Sequence, residues 1–570
     1  MCFIRKRGRR RLNFIMDLVY VSYNSSKWIQ ACFQSVVQSV YNLKDIYIYV
    51  LDNNSSDDTV EKLYQCKKQY QEKLGGFEVI PSKTNWGFGK GNNIAFAKGK
   101  SDIVCFFNID TELCSDTLQQ LSNAIENSDS SVAMWELRQF PYEHPKLYNP
   151  VTMEAAWSSG AAFAIRRNIF FQLNGFDEHI FMYAEDVDLS WRLRSFGYHI
   201  QYVPEAIIYH YSYKEAGEIK PIQYVNSIIN NLLLRYRFGG RNDVFDGHKL
   251  FWKVILKQKP AFKNSRRLLL KKYFGHFIEI PHFRNKKVKG KAKDFSPMFV
   301  GFDYTTNRDG AFYVNERPSE LPLVSVIVRT CGRPDILRET LLSLRNQTYK
   351  NIEIVVVEDG APISKKMIEN EFSDLRILYH ASTEKVGRSR AGNIAMTMAH
   401  GVYFNFLDDD DVFLADHVEV LVHALQKTKA KAAYTFAFAT PIIVKGRSPY
   451  SYEIKDYLGL HRHEFGRVEL FHHNCLPIQS VMFDRDLYKE NGGFDEKLDA
   501  LEDWDLWVRF SLHTNFICIP KTTSLYRIPF DEKTNERRQK ELDEALVIVR
   551  DKHKNYIPTL SVCDIAMIYR

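Results

Sequence analysis

One string occurs twice in this chain. Residues 185–192 read EDVDLSWR and residues 502–509 read EDWDLWVR, a spacing of 317 (502 minus 185). Standing alone, Glu-Asp-x-Asp-Leu-x-x-Arg suits an ordinary solvated helix, acidic at its start and basic one turn later. Its repetition constrains the fold because other markers repeat with it in the same order. FFNID (106–110) corresponds to FLDDD (406–410), with Asp116 and Asp416 each six residues beyond, and NGFDE (174–178) corresponds to GGFDE (492–496). Upstream, an apolar run from Leu18 to Val21 leads into a helix-like stretch with Trp28, Ile29, Cys32, Val36 and Val37, then the strand IYIYVLD ending at Asp52. VSVIVRT from Val324, a helix-like stretch with Ile336, Leu337, Thr340, Leu341 and Leu344, and IEIVVVED ending at Asp359 match it. Both are βαβ units of the kind that builds a parallel sheet. A period of roughly 300 residues is too long for a solenoid repeat and marks a tandem duplication. The expected class is α/β: two tandem Rossmann-like domains, each with a mostly parallel sheet.

The chain's 570 residues exceed what one hydrophobic core organises, and 45% hydrophobic with 26% charged residues describes a globular protein. The expected layout is a basic N-terminal extension (1–16), a first domain (17–240), a basic, partly helical connector (241–320), and a second domain (321–570) ending in a helical tail. Met16 directly precedes the first strand, so residues 1–15 are an extension or follow a misplaced start codon. No run of about 18 apolar residues occurs and the start lacks an apolar signal region, which predicts a cytoplasmic protein. Nine cysteines, an odd number without a C-x-x-C pair, read as reduced thiols. The net charge of +8 gathers at Arg5–Arg11 and across Lys253–Lys293. Such blocks serve as solvated linker faces or bind anionic lipid; the latter predicts peripheral association with the inner face of the plasma membrane. Nucleic acid is not expected, since the blocks lack interleaved aromatics in an RNA-binding pattern.

Ligands of open parallel sheets bind beyond the carboxyl ends of the strands, which places Asp52, Asp110, Asp359 and Asp410 on such rims. Asn108-x-Asp110 and Asp408-x-Asp410, with Asp409 and Asp411 alongside, crowd carboxylates that repel one another unless a cation intervenes. Hard oxygen ligands on a short turn suit Mg²⁺ or Mn²⁺ shared with substrate phosphates. The second acid of each octet, Asp186 or Asp503, is placed to act as a general base if it faces a substrate hydroxyl. Asp188/Arg192 and Asp505/Arg509 read as i,i+4 ion pairs on a helix surface. His461, His463, His472 and His473 lack zinc spacing and read as surface or core histidines.

The order of strand, acid-ending strand, D-x-D turn, GFDE and ED-x-DL-x-x-R resembles the inverting nucleotide-sugar glycosyltransferases of family 2, which have the GT-A fold. It covers roughly 17–240 and 322–530. The resemblance implies that Asp52 and Asp359 contact the donor nucleotide and that Asp110 and Asp410, flanked by Asn108 and Asp408, bind the metal. It also implies that Asp186 and Asp503, each preceded by a supporting Glu185 or Glu502, deprotonate the acceptor. NWGFGKGNN (85–93) is similar to a stretch of rhamnosyl- and galactofuranosyltransferase-like members, which implies donor contacts at Asn85, Gly87, Gly89 and Asn92. KVGRSRAGNIA (385–395) offers Arg388 and Asn393 to phosphate and sugar. His210 fits the family's further metal ligand; the second half has Arg527 instead, which implies fewer metal ligands or a guanidinium helping the leaving group. The implied function is a bifunctional transferase moving sugars from UDP- or dTDP-sugars to a surface polysaccharide or lipid-linked glycan. The alternatives are one catalytic half with a glycan-binding or scaffolding passenger, or a binding protein without turnover.

Overall fold

Parallel strands covered by helices on both sides need near-continuous apolar runs, and the first strand of each half has one: MDLVYVS and VSVIVRT are buried along almost their whole length. The computed structural model describes residues 14–213, 215–288, 292 and 295–556. It divides into two compact units, one comprising residues up to 315 except 150–152 and 308–310, which group with the other.

In the first unit the strands are β1 (Met16–Ser22), β2 (Ile46–Asp52), β3 (Gly76–Pro81), β4 (Ile103–Asn108), β5 (Thr111–Leu113), β6 (Val132–Phe140), β7 (Ala162–Arg166) and β8 (His199–His210). They form one sheet in the order β3-β2-β1-β4-β7-β6-β8-β5. β1 to β4 run parallel, β7 opposes both β4 and β6, and β5 opposes β8. The second unit has β9 (Val324–Thr330), β10 (Ile352–Glu358), β11 (Ile377–Ala381), β12 (Tyr403–Phe406), β13 (Val412–Phe413), β14 (Ala432–Arg447), β15 (Tyr450–Ile454), β16 (Leu458–His461), β17 (Val481–Asp484) and β18 (Phe516–Pro529). Its path is β11-β10-β9-β12-β17-β14-β18-β13, strand for strand the same, with β15 and β16 added on the long β14. The chain is therefore two α/β domains with mostly parallel sheets, the architecture expected from the repeat.

The helices expected after the first strands form. Ile29–Val37 buries Ile29, Cys32, Phe33 and Val36, and Pro334–Arg345 buries Leu337, Thr340, Leu341 and Leu344, each an i, i+3/i+4 stripe. The segment read as a connector is, over 241–307, part of the first unit. It contributes helices Arg241–Lys257, Ser265–His276 and Ile280–Asn285. Ile280 and Phe283 enter a core cluster with Trp191 and Val187 of the octet helix. Residues 1–13, including the first basic cluster, lie outside the described residues.

Candidate active sites

Each octet starts a helix, Glu185–Ser195 or Glu502–Ser511, directly after a residue with left-handed backbone, Ala184 (φ 69°) or Leu501 (φ 58°). That turn aims the second acid back across the helix N-terminus. Asp503 accepts from its neighbour's amide, Trp504 N, at 2.8 Å and from Asn474 Nδ2 at 3.0 Å. Asp186 accepts from Val187 N and Gly160 N, both at 2.8 Å. Burial, and then the charge of Glu502, push Asp503 up to about 7. Burial also raises Asp186. A carboxyl group poised near neutrality at the floor of a cleft has the acid–base character a general base needs.

In the second unit Asp503 lines a cleft of about 620 Å³ together with Asp359, Arg388, Asp408, Asp410 and Arg527. The four aspartates of the turn are not left to repel one another. Arg329 grips Asp408 through Nε (2.8 Å) and Nη2 (2.9 Å) and reaches Glu502 through Nη1 (2.7 Å). Arg333 pairs with Asp409 and, at 3.3 Å, with Asp410, while Asp411 accepts from Arg527 N at 2.9 Å. Guanidinium groups supply countercharge to the turn, so the crowding of carboxylates is not by itself evidence for a metal. Of the four, Asp409 and Asp411 are buried, while Asp408 and Asp410 keep partly accessible carboxylates, 30% and 39% exposed.

The first unit differs at this point. The β1–β4 register sets Asn108 beside Val21, and the β9–β12 register, Phe406 beside Ile327, continued two residues brings Asp408 to Arg329, which bonds it. With valine there, Glu185 has no guanidinium and its Oε2 is buried without a partner; burial and Asp186 raise its pKa well above the carboxylate range. Asn108, Asp110 and His210 instead converge: His210 Nε2 lies 3.5 Å from Asp110 Oδ1 and 3.4 Å from Asn108 Nδ2, and its Nδ1 meets Gln139 Oε1 at 2.9 Å. Asn108 Oδ1 is buried and unpartnered. Burial works against the Asp110 anion, yet its hydrogen bond and charge contact with His210 hold its pKa down. A carboxylate, an orphan amide oxygen and an oriented imidazole fit a small divalent cation. By the pairing of the last strand with the acidic-turn strand, the His210 position corresponds to Tyr526 in the second unit, not to Arg527.

Strand register also corrects the pairing of Asp52 with Asp359. Ser22 sits opposite Asp52 and Thr330 opposite Glu358, so Glu358 is the counterpart of Asp52, and Asn53 that of Asp359. Asp52 is buried, accepting from Ser22 Oγ, Ser55 N and Ser55 Oγ, and it shapes the loop. Asn53 Oδ1 receives Trp86 N, and Asp359 receives Val386 N and Gly387 N, so each holds the glycine loop in place. Gly87 caps the next helix at φ 79°, with Asn85 Oδ1 accepting its N–H at 3.0 Å. A Cβ on Gly89 would stand 3.0 Å from that of Phe176, so this glycine serves close packing against the GFDE turn. Asn92 is buried and bonds Phe88 O, while the half-buried Asn393 exchanges two bonds with the backbone of Phe494 and donates to Glu496. Asn93 grips Phe176 in the same way.

The octet arginines are likewise internal. Asp188 and Asp505 are fully buried, contrary to the surface reading. Arg192 holds Asp188 and the carbonyls of Leu173 and Gly175; Arg509 holds Asp505 and those of Asn491 and Gly493. Each octet is thus bolted to its own GFDE turn. Sequence reasoning missed Arg329, although a charge inside an otherwise apolar strand was a signal. It also missed His461, which lines the cleft with its pKa pushed down to about 4 by burial.

The glycosyl transferase family 2 model matches residues 17–189 and 325–488, more than half of the chain. The chain belongs to that family. It carries two domains of it. The second match ends before Glu502, so the equivalence of Asp503 with Asp186 rests on the shared topology and cap geometry. A glycosyltransferase of Rickettsia typhi, RT0329, is 32% identical over 193 residues, 33% of this chain and 58% of its own length; the chain thus spans little more than half of that relative. The Escherichia coli protein WfaP, named a UDP-Glc:α-D-GlcNAc-diphosphoundecaprenol β-1,3-glucosyltransferase, is 31% identical over 115 residues, 20% of this chain and 46% of its own. Among solved structures, the Pyrobaculum calidifontis mannosyltransferase PcManGT, in complex with GDP-Man and Mn²⁺, aligns over 48% of this chain and 84% of its own at 14% identity, TM-score 0.34.

Proposed function

We propose that both units are inverting transferases, together adding sugars from UDP- or dTDP-sugars to a surface polysaccharide such as a capsule or O-antigen, or to a lipid-linked glycan. The observation that carries this reading is the duplicated base: Asp186 and Asp503 stand at the same place on the same helix, each held by its neighbour's amide and one further N–H. In each unit the aspartate takes the proton of the acceptor hydroxyl as that oxygen attacks the anomeric carbon, and the nucleoside diphosphate leaves from the opposite face. Asn108, Asp110 and His210 would hold Mg²⁺ or Mn²⁺ in the first unit. Bound there, the cation would neutralise charge on the departing diphosphate. In the second unit Asp410 is the remaining cation ligand, and Arg388 and Arg527 line the same cleft. Arg527 is anchored on Glu339 and Tyr452 through Nη2 and keeps Nη1 buried and unpartnered, a donor suited to a leaving phosphate.

The diphosphoundecaprenol in the name of WfaP supports a lipid-linked acceptor and work at the inner face of the plasma membrane. No described helix is long and apolar enough to cross a membrane. The test is nucleoside-diphosphate release from a panel of nucleotide sugars with a lipid-linked acceptor, comparing the parent with Asp186→Asn and Asp503→Asn. Loss of a different donor or addition step in each variant supports two active sites. Loss in only one supports the second reading, a single catalytic unit with a passenger, which the unequal partners of Glu185 and Glu502 favour. No turnover in the parent would sink both.

A further inference from the structure

The helices Arg241–Lys257 and Ser265–His276 of the first unit show solvent something unusual for a folded surface. Positions 245, 252 and 256 fall on one helical stripe, and there Phe245 is 69% exposed and Leu256 72%, with Trp252 between them. On the second helix and just beyond it, Phe274 is 62% exposed and Ile278 81%. The two sets are contiguous, because Trp252, Phe274 and Phe277 all pack around the ring of Tyr273, at centroid distances of 5.6, 5.7 and 5.4 Å. Nine lysines and arginines lie between Lys249 and Lys272, whereas residues 247–278 contain no aspartate or glutamate. None of the nine is held in an ion pair among the described residues. Lys249, Lys253 and Lys257 flank the apolar stripe on its own helix.

We propose that this face seats the protein on an anionic phospholipid bilayer, the aromatic and aliphatic side chains entering the headgroup boundary while the lysines and arginines meet lipid phosphates. Charge complementarity selects this occupant: a second copy of the chain would bring nine like charges against nine, and an apolar protein partner would leave them without counterions. The face also connects to the first unit's chemistry. Immediately after Ile278, Glu279 bonds His179 (2.7 Å) and His282 bonds Asp177 (2.8 Å), both on the GFDE turn gripped by the octet arginine. The inference deepens the membrane part of the proposed function and does not depend on which sugar is moved.

The experiment is co-sedimentation of the full chain with phosphatidylcholine vesicles with and without phosphatidylglycerol, at about 0.1 and about 1 M salt, where the Debye length falls from about 10 to about 3 Å. The comparison is a variant carrying Phe245→Ser, Leu256→Ser, Phe274→Ser and Ile278→Ser, four exposed positions whose change leaves the fold intact, as circular dichroism and donor turnover would verify. Expected is binding to the anionic vesicles alone, weakened by salt, with partitioning reduced about a hundredfold or more in the variant. No binding of the parent at low salt overturns the proposal, as does unchanged binding of the four-serine variant. If the parent self-associates in sedimentation velocity and the variant does not, with neither binding vesicles, the face is a contact between copies. Donor turnover that persists in the four-serine variant keeps a failure here distinct from a failure of the transferase reading.

Discussion

Arg329 donates to Glu502 at 2.7 Å, and with its other nitrogens it holds both oxygens of Asp408. One buried guanidinium therefore joins the acidic turn to the helix start that carries the base. Arg329→Met would leave the buried Glu502 and the half-buried Asp408 without their partner. The expected cost is about 3–5 kcal/mol, because removing one member of a buried pair strands the other. A urea unfolding curve should show it as an earlier transition of the second unit, with the first unit's transition unmoved.

The first unit makes the opposite prediction. Val21 stands at the equivalent register position and Glu185 keeps one oxygen unpartnered, while burial and the neighbouring Asp186 push its pKa up. Glu185→Gln, which removes a carboxyl that no guanidinium holds and keeps its shape, should shift stability by less than about 0.5 kcal/mol. Glu502→Gln removes a charge that Arg329 uses and should cost more than that. A drop of several kcal/mol for Glu185→Gln would show that Glu185 is ionised.

Asp503, pushed up to about 7, governs how the second unit responds to pH. As a base it works deprotonated, so its transfer step should fall as pH drops through about 7 and level off above it. The stability sign is opposite. A carboxyl group whose pKa is raised on folding holds its proton better in the folded state, so that contribution is complete below the ordinary aspartate range and is lost as pH rises through about 7. Asp503→Asn should therefore abolish the step by roughly 10²–10⁴-fold and yet melt higher than the parent at pH 8. A variant that melts lower at pH 8, or a pH-independent parent rate between 6 and 8, speaks against the buried-base account.

The duplication was legible because four markers recur in one order, and the helices after the first strands were legible from their apolar spacing. What escaped was whatever a distant segment decides. Adjacent acids at 358 and 359 look interchangeable in the sequence, and only the pairing of β10 with β9 shows that Glu358 takes the place of Asp52. Asp188 and Arg192 have the spacing of a surface pair. Their burial depends on Arg237, which arrives 49 residues later to bridge Asp188 and Asp177. In the second unit, Lys552 does the same for Asp505 and Asp495, at 2.8 and 2.7 Å.

These two bridges are unequal, and that yields a prediction. Arg237 is almost wholly buried, whereas the Lys552 side chain is 35% exposed and shares Asp505 with His553. Arg237→Met should cost about 3–5 kcal/mol and disorder the GFDE turn of the first unit. Lys552→Met should cost no more than about 1 kcal/mol, since solvent screens a partly exposed pair. Equal losses in melting experiments on the two variants would contradict this ranking.

Metal removal should separate the two units. His210 turns its Nε2 towards Asp110 and Asn108 while Gln139 fixes its other nitrogen, whereas the second unit places Tyr526 at that position and pairs Asp408 and Asp410 with arginines. Chelation with EDTA should therefore suppress the step lost in Asp186→Asn far more than the step lost in Asp503→Asn, and Mn²⁺ or Mg²⁺ should restore it. His210→Ala should mimic chelation for the first step by weakening metal affinity, so that activity returns at raised Mn²⁺, while the second step is untouched. Arg527→Gln should instead reduce the second step at every metal concentration, because the donor it loses is carried by the protein. If EDTA stops both steps at the same concentration, the second unit holds its cation as firmly as the first, and the division of labour between imidazole and guanidinium fails.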